Sequence, residues 1–98
     1  MRKSMLKELI KKAIDEYNAY REPEAMAKLM EVKEESIIVE FRGPFCKSCG
    51  IYDYFEDLIY ELMNITDEIR IEVNSVEELG NEGFVVKYRL NLGGGNHN

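Results

Sequence analysis

Apolar residues recur along the first part of the chain as Leu6, Leu9, Ile10, Ala13, Ile14, Tyr17 and Tyr20. This is the spacing of one face of an α-helix, with Lys7, Lys11 and Asp15 on the opposite side. Ser4 offers an N-cap hydroxyl. Pro23 disfavours helical geometry in the residue before it and sets a stop near Arg21. The same proline suits the first turn of a second, short helix carrying Ala25, Met26, Leu29 and Met30.

The pattern then changes period. From Ser36 to Arg42, Ile37, Val39 and Phe41 alternate with Ile38, Glu40 and Arg42, as in a strand, and Gly43-Pro44 ends it. Ile51, Phe55, Leu58, Ile59 and Leu62 return to the helical spacing, up to about Asn64. Ile69–Val73 and Phe84–Leu90 alternate again as strands. Between them, Ser75-Val76-Glu77-Glu78 fits a capping box and one helical turn.

The predicted order is α-α-β-α-β-β, with a parallel pair across the middle helix and an antiparallel hairpin at the end. One sheet face would hold Ile37, Val39, Phe41, Ile69, Ile71, Val73, Phe84, Val86, Tyr88 and Leu90. The other would hold Ile38, Glu40, Arg42, Arg70, Glu72, Val85, Lys87 and Arg89. A face that polar is seldom covered by the protein's own helices. The expectation is therefore an α+β two-layer sandwich: a small mixed sheet of about three strands, with two long helices on one face.

Length and charge narrow the function. Ninety-eight residues make one domain, expected over 1–92, with 93–98 (Gly93-Gly94-Gly95-Asn96-His97-Asn98) a disordered tail. The formal charge is −6 and the basic residues are scattered, which argues against nucleic acid as a partner. No apolar run is long enough for a membrane span, so a cytoplasmic protein without a membrane role is expected. Charged residues are 33% of the chain and there is no Trp or Gln, a Lys- and Glu-rich bias like that of hyperthermophile proteins, whose cytosol tolerates disulfides. A domain this small has a limited core. Association through the open sheet face, as a homo-oligomer or with a protein partner, is expected.

Cys46 and Cys49 are the only cysteines, with two residues between them at the start of the second amphipathic helix. There, free backbone N–H groups and the helix dipole favour a thiolate at Cys46, and Lys47 adds a positive charge. The run Val39-Glu40-Phe41-Arg42-Gly43-Pro44-Phe45-Cys46-Lys47-Ser48-Cys49 resembles the active-site segment of the thioredoxin and glutaredoxin family, over about residues 37–63. That resemblance implies Cys46 as the attacking thiolate and Cys49 as the resolving thiol, with Lys47 and Ser48 tuning the potential. The family's later cis-proline has no counterpart, since Pro23 and Pro44 are the only prolines. In its order of elements the chain is also similar to small Alba-like domains, with Phe41-Arg42-Gly43 placed where those carry an Arg-Gly.

Other readings of the cysteines stand beside this one. They can form a structural disulfide that locks a turn, or act as small buried hydrophobes. No cofactor is expected within one chain. A structural zinc needs four ligands, so Cys46 and Cys49 would supply half of a site shared across a dimer. Phe45, Tyr52, Tyr54 and Phe55 crowd the turn, and helical spacing assigns some of them to the core. Asp53, Glu56, Asp57 and Glu61 read as a solvated helix face. His97 lies in the tail and forms no Cys–His pair. The function expected is thiol–disulfide chemistry at this dithiol; the alternative is a non-enzymatic interaction domain.

Overall fold

The computed structural model describes residues 3–44, 50–80 and 83–92. The elements follow the order α1 (Lys3–Arg21), β1 (Met26–Val32), β2 (Ser36–Arg42), α2 (Tyr52–Ile65), β3 (Ile69–Glu78) and β4 (Gly83–Leu92). They make an α+β fold around one four-stranded sheet of order β1-β2-β4-β3. Every neighbouring pair is antiparallel.

This corrects the expected architecture in three places. The second short helix does not form: its segment is β1, so the order is α-β-β-α-β-β with four strands instead of α-α-β-α-β-β with about three. Met, Ala, Lys, Leu and Glu favour helix weakly and locally, a preference that tertiary context overrides. Here the context is the edge of β2, which pairs with β1 from Met26 opposite Arg42 to Val32 opposite Ile37. The period-two signal is hidden by a bulge between Leu29 and Glu31, which puts Met30 out of step.

The sheet is also not mixed. β2 and β3 run in the same direction, but β4 lies between them. The crossover through α2 therefore spans a strand rather than making a parallel neighbour. Finally, Ser75–Glu78 is not a helical turn. It continues β3 past a bulge between Val73 and Ser75, and Leu79 N–H closes the hairpin on Gly83 O.

Both helices pack on the same side of the sheet, α1 over β1 and α2 over β3, and against each other. The core is the layer between. It buries Leu6, Ile10, Ala13, Ile14 and Tyr17 of α1; Tyr54, Phe55, Leu58 and Leu62 of α2; and Ile37, Val39, Phe41, Ile69, Ile71, Phe84, Val86, Tyr88 and Leu90 of the sheet. Tyr20, expected in the α1 stripe, is 76% exposed. Phe41 is central: its ring meets Tyr17 at 5.5 Å, Phe55 at 5.1 Å and Tyr88 at 6.5 Å between centroids.

Edge strand β1 is closed off by a side chain. Asn18 of α1 accepts from Ala27 N–H at 2.7 Å and donates to Ala27 O at 3.0 Å, so its amide stands in for the peptide group of a further strand. Asn18→Ala removes both bonds from a half-buried site and is expected to cost about 1–3 kcal/mol in denaturant unfolding. A cost near zero would show that water replaces the amide.

Candidate functional site

Two regions have the composition of a working surface: the junction between β2 and α2, and the uncovered face of the sheet. The junction begins where β2 leaves the core at Phe41. Gly43 has φ +143°, and a Cβ there would sit 2.5 Å from Glu24 O and 3.0 Å from Ala25 Cα. The exit from β2 is thereby held against the α1–β1 turn. On the far side, Gly50 has φ +97° and α2 begins at Tyr52. Strand Ser36–Arg42 and helix Tyr52–Ile65 flank the dithiol segment in the order expected. Cys46, Lys47, Ser48 and Cys49, and Phe45 with them, lie outside the described residues.

The helix start is later than the sequence suggested. Gly50 separates Cys49 from α2 with a left-handed backbone, and Ile51 caps the helix without a side-chain hydrogen bond. The N–H groups of Asp53 and Tyr54 are occupied by Gly50 O at 3.2 Å and Ile51 O at 3.0 Å. The first-turn donors invoked for a thiolate are therefore partly used within the turn itself.

Beneath the junction, Arg21 joins the two helices. It is ion-paired with Asp57 of α2 and, at 3.4 Å, with Glu24. Its guanidinium carbon lies 4.8 Å from the centre of the Tyr54 ring, a cation–π distance. One turn back, the Tyr17 hydroxyl is buried without a hydrogen-bond partner. Burial pushes the Tyr17 pKa up, Arg21 pulls it partly back, and Tyr54 and Glu24 add to the rise. Tyr88 is raised by burial too, with Tyr17 and Glu56 contributing, and it donates to Phe55 O at 2.8 Å. These phenols are core residues held neutral. They are not an acid/base pair.

The contrast between them predicts opposite outcomes. Tyr88→Phe loses a satisfied buried bond and should cost about 1 kcal/mol, whereas Tyr17→Phe removes an unpaired polar atom and should be neutral or stabilising in the same denaturant assay. Both phenols ionise more readily unfolded than folded. Their protonated forms favour the fold fully below the ordinary tyrosine value of 10.0, and stability is lost as pH rises above it toward the raised folded values. Tyr17→Phe should flatten that alkaline loss; an unchanged slope would mean that Tyr17 is not buried.

The α2 carboxylates, read from the sequence as one solvated face, are only partly so. Asp53 and Glu56 are exposed, Glu61 is half-buried and Asp57 is engaged by Arg21. Of the junction aromatics, Tyr54 and Phe55 are buried and Tyr52 is exposed. Among the described residues no three His, Cys, Asp or Glu side chains converge to hold a metal ion. No helix among them is long and apolar enough to cross a membrane.

The second region is the sheet face turned away from both helices. On its central strands β2 contributes Ile38, Glu40 and Arg42, and β4 contributes Val85, Lys87 and Arg89. Ile38 and Val85 are half-buried and stand near the middle. Glu40 is ion-paired with Arg42, and Glu72 of β3 with Arg89 at 2.6 Å. Lys87 forms no ion pair among the described residues. The central strands thus present three cations to one acid around an apolar centre, on a chain whose net charge is −6. The residues assigned to this face from sequence lie there, joined by Lys28 and Glu31 of β1 and by Ser75 and Glu77 of β3, segments expected to be helical. The Asn18 clamp and the Arg21 network were not foreseen, because pairing between distant segments leaves no periodic trace.

No family model, curated protein or solved structure matches the chain.

Proposed function

We propose that this protein is a non-enzymatic interaction domain that docks an acidic, amphipathic protein segment on the uncovered face of its sheet. The observation that carries this reading is the face itself: apolar Ile38 and Val85 share the two central strands with Arg42, Lys87 and Arg89, and Lys87 stands opposite Ile38, while Glu31, Glu40 and Glu77 are the acids beside them. A partner segment with alternating apolar and acidic residues would cover the two aliphatic side chains. Its carboxylates would then meet the cations, an arrangement that gives specificity and speeds encounter. The test uses a peptide in which leucine alternates with glutamate, followed by fluorescence anisotropy. Binding should weaken with salt and fall roughly tenfold in Lys87→Glu, as expected when attraction becomes repulsion at a partly desolvated pair. It should be unchanged in Cys46→Ser/Cys49→Ser. Equal binding to Ile38→Asp, or tighter binding of the leucine–lysine counterpart, would defeat the proposal.

A second reading, thiol–disulfide chemistry at Cys46 and Cys49, is supported by the strand-to-helix junction that encloses them. In that reading Cys46 attacks a disulfide sulfur, releases a thiolate and forms a mixed disulfide, which Cys49 then resolves. It requires a Cys46 pKa below the free-thiol value of about 8.5 and turnover of a disulfide substrate. Titration of both thiols in a defined redox buffer, with metal measured on the same sample, also separates a structural disulfide and a shared zinc. An ordinary pKa with no exchange eliminates the redox role.

A further inference from the structure

The two edges of the sheet are treated differently. β1 is interrupted by the bulge at Met30 and capped at Ala27 by Asn18. Both are recognised ways of blunting an edge against pairing. β3 has a bulge of its own between Val73 and Ser75, but its first half, Ile69 to Val73, is regular, holds no proline or lysine, and no described group caps it.

The direction of its free backbone groups follows from the ladder. Leu90 N–H donates to Glu35 O, so alternate residues of β4 from Leu90 back to Phe84 turn toward β2, and Arg89 and Asn91 turn toward β3. Their partners Glu72 and Arg70 therefore use their backbone groups inside the sheet. Ile69, Ile71 and Val73 turn theirs outward.

The geometry points to a homodimer in which the β3 edge of one chain pairs antiparallel with the β3 edge of a second copy, centred on Ile71. In that register Ile71 faces the partner's Ile71 and Ile69 faces the partner's Val73, so every hydrogen-bonding pair joins two outward-turned residues. The intervening, closely approached pairs are Arg70 with the partner's Glu72, and the reverse. Opposite charges thus meet twice on the open face, while the apolar side chains extend the core on the other. A shift of two residues either way loses this match; a shift of one puts outward groups against inward ones.

The second support is on α2, which lies over β3 on the core side. Its side toward α1 is marked by Tyr54 and Asp57, which contact Arg21. By helical spacing the opposite side carries Tyr52, Ile59 and Met63. Tyr52 is 55% and Met63 41% exposed, and Ile59 is half-buried. Pairing β3 with its copy brings two such flanks to the same side of the joined sheet, next to each other, where their exposed apolar side chains can pack. The result is one eight-stranded sheet whose uncovered face is continuous across both copies. This inference does not depend on what that face binds.

Analytical ultracentrifugation of the full chain up to millimolar concentration tests it. The wild type should dimerise. Arg70→Glu puts acids at positions 70 and 72 of both copies, and Glu72→Arg puts cations there; each should weaken dimerisation roughly tenfold to a hundredfold. Mixing the two variants restores both opposite-charge pairs and should restore the dimer as a heterodimer. A monomeric wild type, single variants that dimerise normally, or a mixture that stays monomeric overturns the proposal. Should Arg70→Glu fail to fold, Met63→Asp decides, since an undiminished dimer there removes the α2 seam. Peptide binding by a monomeric but folded Arg70→Glu chain keeps the docking proposal separate from this one.

Discussion

Phe41→Ala is expected to lower the unfolding free energy by about 3–5 kcal/mol, the range for an aromatic side chain removed from a tight core. Phe41 is fully buried, and its ring touches Tyr17 of α1, Phe55 of α2 and Tyr88 of β4. Deleting it opens a cavity where both helices are fastened to the sheet. The walls come from separate elements, so collapse onto the space would require moving one whole layer. A domain of this length has roughly 5–15 kcal/mol of stability in total, so the variant would be marginal or unfolded at room temperature. Phe41→Leu, which keeps much of the volume, should lose less than half as much. Chemical denaturation monitored by circular dichroism measures both. A loss under about 1 kcal/mol for Phe41→Ala would mean that the ring does not fill the core.

Gly43→Ala is the second large effect, expected at about 2–4 kcal/mol from backbone strain and overpacking together. At φ +143° a side chain is disfavoured, and the new Cβ would press on Glu24 O at 2.5 Å, a backbone atom of the α1–β1 turn. Gly80→Ala is the matched control. Its φ of +86° also disfavours a side chain, but a Cβ there meets nothing within 4 Å, so only the conformational cost of about 1 kcal/mol applies. The difference between the two variants isolates the close approach of the β2 exit to the turn. Equal losses would show that the turn moves freely away. The same contact fixes the strand side of the dithiol segment, so Gly43→Ala should also alter the reactivity of Cys46 if the thiols work as an exchange pair.

What the sequence disclosed follows the range of the interactions. Helix α1 was legible because the repeat from Leu6 to Tyr17 is a property of consecutive residues, and Pro23 punctuates its end. The sheet's two faces were legible for the same reason: Ile37, Val39 and Phe41 against Ile38, Glu40 and Arg42 fix a period of two wherever the strand sits. β1 was not. Its alternation is broken at Met30, its residues prefer helix, and the decisive partner, β2, lies across a turn. The strand order failed for a related reason. Nothing in β2, α2 or β3 records that β4 inserts between the two strands, where Val86 comes to lie opposite Val39 and Phe84 opposite Phe41. Of the sites, the dithiol was visible as residue types and spacing. The open face was visible as a pattern, but the pairing that engages Glu40 and Glu72, and leaves Lys87 without an ion pair among the described residues, required the fold.

The central claim is that the uncovered sheet face is the working surface. Its most direct test is an amide chemical-shift map of the protein titrated with the leucine–glutamate peptide. The account predicts shifts concentrated at Ile38, Glu40, Val85, Lys87 and Arg89, with α1 and α2 unmoved. Shifts confined to the stretch from Gly43 to Tyr54 would assign the activity to the junction, and no shifts at all on β2 and β4 would contradict the account.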